Sequence, residues 1–191
     1  MGRLVVLLVL LTPVRAGASE LVFDAFASFS PRAEYGTISA DTFGPDSGGP
    51  TYQLGLGSSV ARRLGHRIAL VGGARYDYGR ASGPFAIGDD TLHVLALPLA
   101  LAVVLPIGDF ELAPAVALGP GLGYSPGYNG GTWMYAATTE LAVTFAQRRH
   151  PGVFVQAGAR LDWLEQIGGG LEDGPVVNTQ LPFLRLGATW R

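Results

Sequence analysis

The sequence predicts an all-β chain, a single eight-stranded antiparallel up-and-down transmembrane β-barrel. Three observations carry this expectation. Large apolar residues alternate with small or polar ones through nearly the whole chain, a period of two that marks strands rather than helices. Hydrophobic residues make up 48% of the chain and charged residues 15%, with 28 glycines, whereas soluble domains carry about 25% charge. The connections between alternating segments are short and long in turn, as in barrels with short periplasmic turns and longer outer loops.

The chain has 191 residues, enough for one domain. It opens MGRLVVLLVLLTPVRAGASE. Arg3, an apolar run from Leu4 to Leu11 and the small-residue site Ala16-Gly17-Ala18 have the layout of a secretory signal peptide. Residues 1–18 are therefore expected to be removed, and residues 19–191 to form the barrel. All 13 basic residues are arginine; without Arg3 and Arg15, 11 remain against 15 acids, a net charge of −4. Nothing in this balance points to a nucleic-acid partner. The absence of cysteine excludes disulfides and thiolate metal sites.

The expected strands follow in order. The first, 20–30, sets Leu21, Phe23, Ala25, Ala27 and Phe29 against Asp24 and Ser28. The second, 51–63, sets Tyr52, Leu54, Leu56 and Val60 outward against Gln53, Gly55, Gly57 and Ser59. The third, 67–78, sends out Ile68, Leu70, Ala74, Tyr76 and Tyr78, and sends in Ala69, Gly73, Arg75 and Asp77. The fourth, LHVLALPLALAVVLP at 92–106, reads at first like a helix fragment, but it is short of the roughly 20 apolar residues that a spanning helix needs. It alternates bulky Leu95, Leu97, Leu99, Leu101, Val103 and Leu105 with smaller Val94, Ala96, Pro98, Ala100, Ala102 and Val104. The bulky side suits lipid and the small side a crowded, narrow interior.

The fifth strand, 110–124, turns Leu112, Val116, Leu118, Leu122 and Tyr124 outward and Glu111, Ala113, Ala115, Ala117, Gly119, Gly121 and Gly123 inward. The sixth, 132–146, opposes Trp133, Tyr135, Leu141, Val143 and Phe145 to Met134, Thr138, Glu140 and Thr144. The seventh, 152–164, opposes Val153, Val155, Ala157, Ala159, Leu161 and Trp163 to Phe154, Gln156, Gly158, Arg160 and Asp162. The eighth, 178–190, opposes Leu184, Leu186, Ala188 and Trp190 to Phe183, Arg185 and Thr189. A tilted spanning strand needs about 9–11 residues, which all eight supply. Pro98, Pro114, Pro120 and Pro182 fall inside strands, where each removes a ladder donor, so a shift of register is expected at one or more of them.

Aromatic residues should ring both membrane interfaces. Tyr52, Tyr76, Tyr78, Tyr124, Trp133, Tyr135 and Trp163 fall near the loop ends of their strands; Phe23, Phe110, Phe145 and Trp190 fall near the turn ends. The one outward charge, Arg62, stands beside a short turn. A soluble barrel would put its polar residues outside, the reverse of this arrangement. The inward faces carry Asp24, Arg75, Asp77, Glu111, Glu140, Arg160, Asp162 and Arg185. Buried charges must be paired, so a luminal ion network is expected, with Arg160 diagonal to Glu140 and Arg185 near Asp24. Long side chains of strands six to eight and one should cross the lumen and pack on the Gly/Ala wall of strands four and five, leaving a barrel that conducts poorly.

With this pattern on residues 19–191, the chain resembles the small eight-stranded outer-membrane barrels of the OmpA membrane-domain and OmpX type. The end, Phe183-Leu-Arg-Leu-Gly-Ala-Thr-Trp190, resembles the final strand that the family's assembly machinery reads, with Phe183 and Trp190 as its signal; here Arg191 follows the aromatic residue. The resemblance implies a Gram-negative envelope, outer-membrane lipid and the barrel-assembly machinery as partners, and no cofactor.

Candidate chemistry is sparse. Some such barrels are lipid A acyltransferases or deacylases that place a base beside a nucleophile. Of three histidines, His66 and His150 fall in short turns; His93 falls at the outer rim after Asp89, Asp90 and Thr91, and the position two residues on is Leu95 rather than Ser. Gly119-Pro-Gly121-Leu-Gly123 lacks the strand–turn–helix setting of a phosphate loop. The outer loops carry Glu34, Asp41, Asp46, Asp89, Asp90, Glu165, Glu172 and Asp173 against Arg32 and Arg80, a solvated acidic rim with no metal-ligand spacing. Arg62, Arg63, Arg67, Arg148 and Arg149 gather at the turn end, where phospholipid phosphates are expected. The leading expectation is a non-enzymatic barrel with a structural, surface-interaction or envelope-integrity role. A lipid-modifying enzyme and a small porin-like channel or apolar-solute conduit are the alternatives.

Overall fold

The computed structural model describes residues 21–37, 51–81, 90–126, 131–149, 151–167 and 176–190. The expected signal peptide and most of the long connections lie outside them. Within them the chain forms eight antiparallel strands. These are β1 (Leu21–Thr37), β2 (Thr51–Arg63), β3 (Ile68–Ala81), β4 in three segments (Asp90–Ala96, Leu99–Val103 and Leu105–Ile107), β5 (Phe110–Ser125), β6 (Thr132–Gln147), β7 (Gly152–Gln166) and β8 (Val176–Trp190). Each strand pairs with its sequence neighbours, and β1 pairs with β8, so the sheet closes on itself. Closure removes both sheet edges and satisfies the backbone internally, the condition for crossing hydrocarbon.

The alternation fixes which face is which. Leu95, Leu97, Leu99, Leu101, Val103 and Leu105 are exposed, while Val94, Ala96, Ala102 and Val104 are buried. The same division runs round the barrel, with Leu54, Leu56, Val116, Leu118, Leu141, Val143, Val153, Val155, Leu184 and Leu186 outside. Arg62 has Leu21 and Leu70 as register partners, but it is only 4% exposed. The outer face therefore presents less charge at this end than its sequence position suggests.

The prolines act differently from one another. Across Pro98 the register holds: Ala96 pairs with Gly121 on one side of it and Leu99 with Leu118 on the other. The chain passes Pro98 on in-register bonds, Gly73 N donating to Pro98 O (3.1 Å) and Leu97 N to Pro120 O (2.9 Å). A side chain at Gly119 would collide with the backbone of Leu97 and Pro98. Glycine there lets the two strands approach where the proline interrupts the ladder. Pro114 and Pro120 also sit in unbroken register with β6. The expected shift occurs only at Pro182, where β8 gains a residue against β7 between Gln180 and Phe183. A matching bulge lies in β1 between Ser30 and Ala33, so β1 runs on past Pro31 to Thr37 rather than ending at Ser30. The two bulges face each other, because Phe29–Leu184 and Ala33–Gln180 keep one register between β1 and β8. Ser30 Oγ donates to Pro182 O across this seam (3.0 Å).

Two tight turns use glycine at positive φ, Gly65 (145°) between β2 and β3 and Gly108 (59°) between β4 and β5. Residues with a β-carbon rarely adopt that backbone.

Candidate functional site

Alternation delivers polar side chains from five strands into one lumen. Arg75 and Asp77 come from β3, Thr138 and Glu140 from β6, Arg160 and Asp162 from β7, Arg185 from β8 and Ser28 from β1. Arg75 Nε donates to Asp77 and its Nη1 to Glu140 (both 2.6 Å). Arg160 Nη1 donates to Asp77 (2.9 Å) and its Nη2 lies 2.7 Å from Asp162. Arg185 grips both oxygens of Glu140 (2.6 Å each) and also donates to Gln156. Thr138 completes Asp162 (2.7 Å). Three guanidiniums and three carboxylates thus form one neutral layer across the lumen, all 7% exposed or less. Such a layer holds because each charge meets opposite charges whose attraction and hydrogen bonds offset its desolvation; removing one member of a buried pair costs about 3–5 kcal/mol.

The eight expected luminal charges do not form one cluster. Arg75, Asp77, Glu140, Arg160, Asp162 and Arg185 meet, but in other pairs than the sequence suggests. Arg160 stands directly across from Glu140 rather than diagonal to it, and turns to Asp77 and Asp162. Arg185 reaches Glu140, not Asp24: Ser28 is its partner on β1, whereas Asp24 pairs with Thr189. Asp24 accepts from Ser59 (3.4 Å). Glu111 lies toward the turn end with Arg63, and Arg148 Nε is 3.5 Å away. Arg63 and Arg148 of the basic turn-end group therefore also face a luminal carboxylate.

Aromatic rings support the layer. Arg185 lies over the rings of Phe183 (4.4 Å) and Phe26 (5.0 Å), and Phe26 meets Phe154 edge to face. Inward glycines make room: a β-carbon at Gly57 would meet Phe26, and one at Gly158 would meet Phe183. Sequence reading found the polarity of this face, but the glycine–ring pairing needs the cross-strand register.

On the loop side of the layer, Leu92, Val94, Met134, Ala136 and Leu164 form a buried apolar cluster, and Gln53 meets Gln180. On the turn side the long side chains do not reach the Gly/Ala wall. A cavity of about 160 Å³ remains, bounded by Ala100, Ala113, Ala115, Ala117 and Ala142, roofed by Arg75, Glu140 and Arg185, and extending to Val22, Arg63 and Glu111. The lumen is thus filled above and hollow below, where sequence reading expected filling throughout. Alanine faces too little volume from the opposing strands in this half.

The outer rim carries the aromatic residues. Tyr52, Tyr76, Tyr78, Trp133, Tyr135 and Trp163 are exposed at the loop ends, with Tyr124 half-buried against Trp133 (ring centroids 4.8 Å). Phe23, Phe145 and Trp190 are exposed at the turn ends, with Phe110 stacked on Phe145 (4.8 Å). Of the two residues expected to signal assembly, Trp190 is exposed and Phe183 is buried.

His93 sits within this rim. Its Nδ1 is 2.6 Å from Tyr76 Oη, its Nε2 is 3.4 Å from Thr91 Oγ1, and Tyr78 packs edge to face on it (5.3 Å). His66 is exposed at the opposite end; His150 and the side chains of Asp89 and Asp90 lie outside the described residues. Among the acidic loop residues, only Glu165 has a described side chain, which is exposed. Gly119, Gly121 and Gly123 lie within β5, in contact range of Pro98, Ala96 and Leu164, not at a helix start.

No family model matches the chain, and no curated protein does. Among solved structures, Neisserial surface protein A superposes with a TM-score of 0.54 at 16% identity, over 92% of this chain and 99% of that one. Ail, the attachment invasion locus protein of Yersinia pestis, gives 0.45 at 9% identity, over 91% and 100%. With the first the chain shares its fold, that of the small eight-stranded outer-membrane barrels.

Proposed function

We propose that the protein resides in the bacterial outer membrane as a non-enzymatic barrel with a structural, surface-interaction or envelope-integrity role. The observation that carries this reading is the combination of a continuous apolar outer face, ringed by aromatics at both ends, with a lumen crossed by a neutral ion layer. Its partners are then outer-membrane lipid around the band and the barrel-assembly machinery, which would read the final strand through Phe183 and Trp190. The name of the solved barrel with which it shares its fold, a surface protein, is consistent with a role for the outer loops.

Membrane fractionation and gel mobility test the reading. The unboiled protein should recover with outer membranes and migrate differently from the boiled one; a soluble protein with unchanged mobility would overturn it. In planar bilayers the purified protein should give no large steady currents, and sustained conductance would favour the channel reading. A second reading, a lipid-modifying enzyme at the rim, draws on the short Tyr76–His93 contact. Mass spectra of lipid A from cells with and without the protein decide it: an acyl change abolished by His93→Ala would establish the enzyme.

A further inference from the structure

We propose that the hollow turn-side half of the lumen is a binding site for a small uncharged molecule with a ring-sized apolar body. The cavity holds about 160 Å³, and apolar cavities near 150 Å³ accept a benzene-sized guest. Ala100, Ala115, Ala117 and Ala142 supply much of its apolar surface, beside the polar Ser58, Thr144, Gln156 and Thr189. Arg75 and Arg185 roof it and are 1% and 7% exposed, their guanidiniums engaged by Asp77 and Glu140.

Charge selects the class further. The charged residues lining the cavity are Asp24, Glu111 and Glu140 against Arg63, Arg75 and Arg185, which balance. An ionised guest would bring a buried charge without a counter-charge, which is costly. None of the residues on the loop side of the layer lines the cavity, so the guest is reached from the turn end and does not pass through.

Benzyl alcohol is a suitable probe, added to the refolded full barrel in detergent micelles with ¹³C-labelled alanine, valine and leucine methyl groups. Saturable shifts and probe-to-methyl cross-relaxation are expected at Ala115 and Ala117. The outward methyls of Val116 and Leu118 should respond only in linear, unsaturable fashion, as the probe dissolves in the micelle. Benzoate and benzylammonium should bind at least tenfold more weakly. Ala115→Leu fills the space and should lower affinity more than tenfold while the folded gel mobility persists; Ala100→Leu serves if that variant does not fold. The proposal is overturned if inward and outward methyls respond alike, if Ala115 and Ala117 show contact with water alone, or if the filled folded variant binds as before. Gel mobility reads folding separately, so failure of the site is distinguishable from failure of the barrel.

Discussion

The two halves of the lumen are built from the same alternation and end differently. On the loop side, inward positions of several strands are matched in size: Leu92 and Val94 on β4 meet Met134 and Ala136 on β6 and Leu164 on β7. On the turn side, alanines of β4, β5 and β6 stand side by side as one wall, Ala102 beside Ala115 and Ala115 beside Ala142, and the cavity lies between them and Phe26 and Phe154. Period two decides only that a residue points inward. Whether the inside is full depends on the sum of volumes at one level, drawn from strands far apart in sequence. The boundary between the halves is the Arg/carboxylate layer.

The sharpest way to break this contrast is to open that boundary. Glu140→Ala leaves Arg75 and Arg185 facing each other without the carboxylate they share. Its cost should be about 3–5 kcal/mol, read as a lower urea midpoint for unfolding from lipid vesicles. An unchanged midpoint would mean that the layer is not what closes the barrel. A paired substitution comes next. Ala136→Leu enlarges a residue in the filled half and should cost about 1–3 kcal/mol. Ala115→Leu enlarges one in the hollow half and should change stability by less than about 1 kcal/mol. Equal costs would show that the cavity collapses in solution. The smallest effect belongs to Asp24→Asn. Asp24 is half-buried against the cavity and outside the layer, so its midpoint should move by less than about 1 kcal/mol.

Most of the fold was legible because lipid and lumen impose opposite demands on neighbouring residues. β2 spans residues 51–63 both in the expectation and in the structure. The leucines of β4 face out and its alanines in, despite Pro98. The pairing of the luminal charges was not legible, because it depends on shear. Counting back from a turn fixes a residue's partner on the next strand, but Arg75 meets Glu140 and Arg160 meets Asp77 across the axis. The seam was missed for a related reason. Pro31 reads as the start of a loop, and only its counterpart bulge at Pro182 makes continuation of β1 possible.

That seam joins β1 and β8. The bulge in β1 and the bulge in β8 each add one residue against the neighbouring strand, and they do so at the same height. Either one alone would leave the two strands one residue out of step; together they cancel, and Ala33 meets Gln180 in step. β1 and β8 therefore carry matching notches, like the teeth of a clasp. Any other alignment of first and last strand sets a notch against a smooth edge, so closure itself checks that the chain has been threaded in its proper order.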